Sequence, residues 1–220
     1  LVVNGRSWVS EGDRTNGFDG GAEDALALLE VALTLVPEAD PERVCAFGHS
    51  RGGSVALLAA ERSPRITCVA AMAGPTDWFS RMPGGAVGWT VTEVVADGLR
   101  MRAAPNEEGG QFIERFLQPA IAGQADLAAT RLRLLRSSAL YFADRLPHTR
   151  VFYGLEDPNV PPANGQALLT SLDPDNRTGE KFQAYFYPDA GHDTDRPAAF
   201  ERIAEFFVRE LRLQSGPPGP

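Results

Sequence analysis

Apolar residues along the chain follow two patterns that alternate. Short, continuous apolar runs at residues 43–47 and 66–72 are typical of strands that a parallel sheet buries on both faces. Longer stretches place apolar residues three or four positions apart, as an amphipathic helix does. Strands are also predicted at residues 1–4, 149–153 and 182–187, and helices at residues 21–36, 51–62, 161–172 and 197–213. This alternation predicts an α/β fold with a doubly wound, mostly parallel sheet.

Residues 79–146 interrupt the alternation with Gly- and Pro-rich turns and several helical patterns. The candidate helices cover residues 90–101, 111–120 and 126–138. We interpret this segment as a helical cap over one edge of the sheet, because such caps cover a pocket and exclude water. Ordinary packing helices without a gating role are the alternative. The predicted parts are a core of residues 1–78 and 147–213, a cap insertion at residues 79–146 and a disordered tail at residues 214–220.

Composition narrows the class of protein. The 220 residues are 43% hydrophobic and 23% charged, which is ordinary for one soluble domain with a sizeable core. A net charge of −8 and a pI near 4.9 argue against nucleic acid and anionic membranes as partners, because binding to either requires a basic face. No apolar run approaches the roughly 18 residues of a membrane span, and nothing at the start is typical of a signal peptide. A cytoplasmic location is slightly favoured.

The two cysteines, Cys45 and Cys68, fall in predicted buried strands. Neither has a second cysteine or a histidine at the spacing of a metal site. We interpret both as free thiols of the core, with a disulfide between neighbouring strands as the less favoured alternative. The sequence predicts no metal and no cofactor.

A G-x-S-x-G motif at residues 48–52 lies between a predicted strand and a predicted helix. A turn this tight would strain the backbone of Ser50, and Gly48 and Gly52 would remove side chains that collide with it. A helix that starts at Arg51 directs its first N–H groups at the serine, where they suit a developing oxyanion. The motif therefore predicts a nucleophilic serine, and a chance match in a Gly-rich loop is the alternative.

An acid and a base follow later in the chain. Asp157 comes just after the predicted strand 149–153, and His192 just after the predicted strand 182–187. Loops at the carboxyl ends of parallel strands open at the same edge of a sheet, so we expect both side chains near Ser50. The order Ser, Asp, His is the chain order of the α/β-hydrolases.

Other residues compete for these roles. Asp77 also follows a predicted strand and is the rival acid. His49 is interpreted as a residue that packs or hydrogen-bonds locally, and His148 as a loop residue. Trp78 and Trp89 are candidates for lining a substrate pocket, although packing in the core explains them equally well.

Several segments resemble the catalytic domain of prolyl oligopeptidase-type serine hydrolases, within the α/β-hydrolase superfamily. They are GHSRGG with the following Ala/Leu helix, YGLEDPNVPPANGQALLTSL, and YPDAGH before the last helix. VVNGRSW and NGFDGGAEDALALLE resemble the fourth strand and the following helix of that family, with Glu23 where Asp is usual. The resemblance implies that Ser50 is the nucleophile, Asp157 the acid and His192 the base.

The resemblance also implies a reaction. It is cleavage of a small ester or peptide through an acyl-enzyme, with a serine peptidase favoured. The alternatives are a carboxylic-ester hydrolase and a hydrolase-like domain that only binds. The sequence leaves the oligomeric state open.

The first three strands of that family have no counterpart in this sequence. In the family, the loop after the third strand supplies the second N–H of the oxyanion hole, and the backbone N–H of Arg51 would be the first. We therefore expect an N-terminally incomplete fragment of a longer protein, with the second donor unknown and the activity of the fragment alone uncertain. The alternative is that another chain fills the gap.

Overall fold

The structure is a computed structural model that describes residues 17–77, 118–172, 179–194 and 196–214. Predictions for other parts of the chain lie outside these residues. The predictions that fall outside concern the strand at residues 1–4, the first part of the cap at residues 79–117, Trp78, Trp89 and nearly all of the tail at residues 214–220.

Four parallel strands form the sheet, and they lie side by side in chain order. The strands are β1 (Val44–His49), β2 (Ile66–Met72), β3 (His148–Gly154) and β4 (Phe182–Tyr187). The register pairs His49 with Met72 and Met72 with Phe152, so the strands end almost in line. All four following loops therefore open at the same edge of the sheet.

Helices connect the strands and cover both faces. They are α1 (Gly17–Leu35), α2 (Arg51–Arg62), α3 (Gln118–Ile121), α4 (Leu127–Arg136), a 3-10 helix (Ala139–Arg145), α5 (Ala163–Leu172) and α6 (Arg196–Gln214). The bounds of α2, β2 and β4 are those predicted from the sequence. Helix α1 begins four residues earlier than predicted, and α5 begins two residues later, after Pro161 and Pro162.

Alternate residues of β2 enter two different cores. Val69 and Ala71 belong to the larger core, with α1, α2, α5 and the 3-10 helix. Ala70 and Met72 point to the opposite face, where they belong to the core that α6 covers. The predicted α/β fold, with a doubly wound parallel sheet, is confirmed.

The described part of the predicted cap, residues 118–146, makes contacts with the core. Leu134 of α4 and both Ala139 and Ala143 of the 3-10 helix are buried in the larger core. The 3-10 helix packs on α2 and α5. A gating role for residues 79–146 stays a prediction.

Cys45 and Cys68 form a disulfide, so the prediction of free thiols is wrong. The register places the two residues directly opposite each other on β1 and β2, with their Cα atoms 4.6 Å apart. A pattern of apolar residues identifies the strands but does not fix this register, which the packing of the whole sheet decides.

Candidate active site

Ser50 alone makes the turn from β1 to α2. Strand β1 ends at His49 and α2 begins at Arg51. Ser50 has φ 55° and ψ −123°, in a region that costs a residue with a side chain about 1–3 kcal/mol. Its N–H donates a 2.7 Å hydrogen bond to the carbonyl oxygen of Met72 on β2. The strained turn predicted from the motif is confirmed, and the neighbouring strand holds it in place.

The two glycines of the motif play different parts. A Cβ at Gly48 would overlap the carbonyl group of Gly52, so the turn closes only because residue 48 has no side chain. Among the described residues, a Cβ at Gly52 would meet no atom within 4 Å beyond its chain neighbours and the backbone of its own helix. The prediction that a side chain at Gly52 would also collide is therefore wrong, because the close approach needs only the backbone of Gly52.

The structure brings Ser50, His192 and Asp157 into one chain of hydrogen bonds. Nε2 of His192 lies 2.9 Å from Oγ of Ser50, and Nδ1 lies 2.8 Å from Oδ2 of Asp157. A carboxylate only accepts, so Nδ1 carries the hydrogen and Nε2 of a neutral imidazole is free to accept the Ser50 hydroxyl. The side chain of His192 is 24% exposed and that of Asp157 is fully buried.

Both oxygens of the Asp157 carboxylate have partners. Oδ2 accepts from His192, and Oδ1 accepts from the backbone N–H groups of Asn159 at 2.8 Å and Val160 at 2.9 Å. Hydrogen bonds of this kind are what a buried carboxylate requires. Burial, together with the nearby charge of Asp157, raises the pKa of Tyr153 above its ordinary value, so this phenol is neutral.

Sequence comparison decides which family this fold represents. The model of the family described as "Alpha/beta hydrolase family" matches residues 6–205, which is most of the chain. The chain belongs to the alpha/beta hydrolase family. Among curated proteins, none matches this chain in sequence.

Solved structures share the fold of this chain. Dipeptidyl peptidase 4 of Porphyromonas gingivalis has a TM-score of 0.59 at 21% identity, over 86% of this chain and 22% of that one. An acylaminoacyl peptidase of Pyrococcus horikoshii has a TM-score of 0.59 at 17% identity, over 90% of this chain and 28% of the peptidase. Acetyl xylan esterase 1 of Thermoanaerobacterium sp. JW/SL YS485 has a TM-score of 0.57 at 22% identity, over 95% of this chain and 60% of the esterase. The chain thus spans about a quarter of the length of the two peptidases and 60% of the length of the esterase.

The loop that carries His192 is held from two sides. A Cβ at Gly154 would overlap the carbonyl oxygen of Ala190, and the N–H of Glu156 donates to this oxygen at 3.0 Å. Nε2 of His49 lies 3.0 Å from the backbone oxygen of His192, 143 positions along the chain. Since a carbonyl oxygen only accepts, this Nε2 carries the hydrogen. The sequence did not predict this contact with His192, because His49 was expected to have only local partners.

The rival acid, Asp77, has another partner. It is buried just after β2 and accepts a 3.1 Å hydrogen bond from the hydroxyl of Tyr141, whereas Nδ1 of His192 contacts Asp157. Burial, reinforced by Asp77, raises the pKa of Tyr141 to about 12. His148 begins β3 at the opposite edge of the sheet, where it pairs with Glu210 at 2.7 Å.

The described ranges contain no cluster of potential metal ligands and no membrane-spanning helix. No group of three or more His, Cys, Asp or Glu side chains there is placed to hold a metal ion. Within the same ranges, no helix is both long and apolar enough to cross a bilayer.

Proposed function

We propose that this protein is a serine hydrolase that cleaves an ester or peptide bond through an acyl-enzyme intermediate. Ser50 is the nucleophile, His192 the general base and Asp157 the acid that orients the imidazole. The observation that carries the proposal is the continuous hydrogen bonding from Ser50 through His192 to Asp157, at 2.9 and 2.8 Å. These distances are within the reach that proton transfer requires.

In the first half of the reaction, the Ser50 oxygen attacks the carbonyl carbon of the substrate while its proton passes to Nε2 of His192. The electron pair of the carbonyl bond moves to oxygen and forms the oxyanion. When this intermediate collapses, the leaving alcohol or amine takes the proton from Nε2. Asp157 stabilises the imidazolium throughout and keeps its own charge.

In the second half, water takes the place of the leaving group. It gives a proton to Nε2 as it adds to the acyl carbon, and Ser50 departs with that proton. The product is a carboxylic acid, and Ser50 and His192 return to their starting states.

We assign the backbone N–H of Arg51 as one donor to the oxyanion. Arg51 is the first residue of α2, so its amide lies at the positive end of the helix dipole and directly follows the nucleophile. The second donor stays unassigned. Each such donor contributes roughly 10²–10³ in turnover.

Among the bonds that such a site can cleave, we favour a peptide bond. Support comes from the sequence resemblance to prolyl oligopeptidase-type enzymes and from the fold shared with a dipeptidyl peptidase and an acylaminoacyl peptidase. The second candidate is a carboxylic-ester hydrolase. The observation that favours it is the match to an acetyl xylan esterase, which covers 95% of this chain.

The proposal is tested by Ser50→Ala and His192→Ala in the complete protein. Each is expected to lower kcat by roughly 10³-fold or more, because nucleophile and base act as one unit. The matched controls are Ser171→Ala, at an exposed serine of α5, and His148→Gln, at the opposite edge of the sheet; both are expected to retain activity. Full activity in either site variant rejects the proposal.

The bond type is tested with wild-type protein on two series of substrates. Aminoacyl anilides have an amide bond to cleave and p-nitrophenyl esters an ester bond. A peptidase is expected to cleave both, because the ester has the better leaving group. Rapid cleavage of the esters with no cleavage of any anilide would instead establish the esterase.

A further inference from the structure

A buried hydrogen-bond network joins the loop after β2 to the loop after β3. Its centre is Asn164, in the first turn of α5, which is only 1% exposed. Oδ1 of Asn164 accepts from the backbone N–H of Thr76 at 2.9 Å, and the Thr76 hydroxyl lies 3.2 Å from the same atom. Nδ2 donates to the carbonyl oxygen of Pro161 at 2.9 Å. One amide side chain therefore bridges two loops at the edge of the sheet that carries Ser50.

Further buried hydrogen bonds hold the backbone next to Thr76 in place. The Tyr153 hydroxyl donates to the carbonyl oxygen of Gly74 at 2.7 Å, and the Ser54 hydroxyl donates to that of Pro75. Three successive residues, 74 to 76, are thus held by buried side chains from β3, α2 and α5. Buried bonds of this kind strengthen one another and rigidify the backbone they hold.

The Pro161 side of the bridge leads directly to Asp157. The residue before Pro161 is Val160, whose backbone N–H donates to Oδ1 of Asp157 at 2.9 Å. The backbone N–H of Asn164 also donates to the Pro161 carbonyl oxygen, at 3.1 Å. Asn164 therefore fixes the end of the short turn whose amides orient the Asp157 carboxylate.

We propose that Asn164 is a positioning residue, which holds the 157–161 turn so that the Asp157 carboxylate faces Nδ1 of His192. This inference rests on the proposed function. If Asn164 acts only through Asp157, its replacement lowers kcat only in a protein that still has Asp157. Replacement of a residue that only stabilises the fold would change kcat by the same factor with and without Asp157.

A double-mutant cycle on kcat tests this difference. In the complete protein, Asn164→Ala is expected to lower kcat about ten-fold and to leave KM within about two-fold, since a hydrogen bond of ordinary strength is lost. In an Asp157→Ala background, the same change is expected to lower kcat less than about two-fold. Gln166→Ala, at an exposed position on the same helix, is the matched control and is expected to leave kcat unchanged.

Asn164→Asp repeats the cycle if Asn164→Ala fails to fold. It keeps the shape and the acceptor for Thr76 but loses the N–H donor to Pro161. An equal loss of kcat in both backgrounds, or no loss in either, overturns the inference. Failure of both variants to fold overturns it too, because Asn164 would then hold the fold rather than Asp157.

This outcome is distinct from failure of the proposed function. If the inference alone is wrong, the wild type is active, Ser50→Ala is inactive and the cycle shows no coupling. If the proposed function is wrong, Ser50→Ala keeps its activity, whatever the cycle shows.

Discussion

At the residue scale, two buried carboxylates lie near the carboxyl edge of the sheet, and their partners separate their roles. Asp157 accepts from the imidazole of His192, whereas Asp77 accepts from the hydroxyl of Tyr141. Only a carboxylate that contacts the imidazole can hold it in the tautomer that accepts the Ser50 proton. Burial of a carboxylate near the site is therefore not enough to identify the acid.

Replacing each carboxylate by its amide tests this difference. Asp157→Asn is expected to lower kcat by roughly 10³–10⁴, because the amide favours the wrong tautomer of His192. Asp77→Asn has the same change of charge and shape, and less than a ten-fold loss is expected. Steady-state kinetics of the two variants decide the assignment. A larger loss for Asp77→Asn would identify Asp77 as the acid.

At the scale of the element, α2 begins directly after Ser50 and has a buried carboxyl group, that of Glu61, near its C-terminal end. Glu61 is only 8% exposed, and in the described part of the chain its Oε1 has no hydrogen-bond partner. Burial raises the pKa of Glu61 to about 9, an effect that Arg62 partly offsets and Asp144 increases. The folded protein thus keeps this carboxyl protonated at neutral pH, whereas the unfolded chain does not.

The raised pKa predicts how stability depends on pH. Between the unfolded pKa of 4.5 and the folded pKa of about 9, the folded state binds one more proton, so the stability that Glu61 contributes is lost as pH rises. The free energy of unfolding is expected to fall by up to about 1.4 kcal/mol per pH unit over that window. Urea unfolding at pH 6, 7, 8 and 9 measures this slope.

Glu61→Gln is the variant that isolates the effect. It has no proton to lose, so the slope is expected to become shallower. Glu205→Gln, at an exposed position on α6, is the control and should keep the wild-type slope. Identical slopes in the wild type and Glu61→Gln would contradict the prediction.

Local patterns predicted the elements well and the contacts between them less well. The bounds of β2 and β4 follow from apolar runs between turn residues, and the start of α2 follows from the G-x-S-x-G motif. The partners of His49 and Asn164 lie 143 and 88 positions away. No local pattern encodes such pairs, because the packing of the whole sheet brings them together.

At the scale of the whole molecule, the parallel sheet determines both the site and its support. Strands that end in line bring three distant side chains to one edge, which is why strand-end positions predicted Ser50, Asp157 and His192. The same register places Cys45 directly opposite Cys68 on the neighbouring strand. The disulfide therefore ties the strand that leads to Ser50 to its neighbour β2.

Loss of this disulfide is expected to lower stability. The bond closes a loop with a sequence separation of 23 residues, for which loss of the crosslink costs about 3 kcal/mol. Cys45→Ser with Cys68→Ser should lower the free energy of urea unfolding by about that amount, and reduction of the wild type should have a similar effect. Titration of two free thiols in the native, unreduced protein would show that the bond does not form.

Covalent labelling of the complete protein with a fluorophosphonate, followed by peptide mass spectrometry, tests whether Ser50 is an activated nucleophile. Our expectation is one labelled peptide, with the label on Ser50, and labelling at least about 10³-fold slower in a folded His192→Ala variant. A label on another serine, no label on the folded wild type, or equal labelling rates in the wild type and His192→Ala would contradict it.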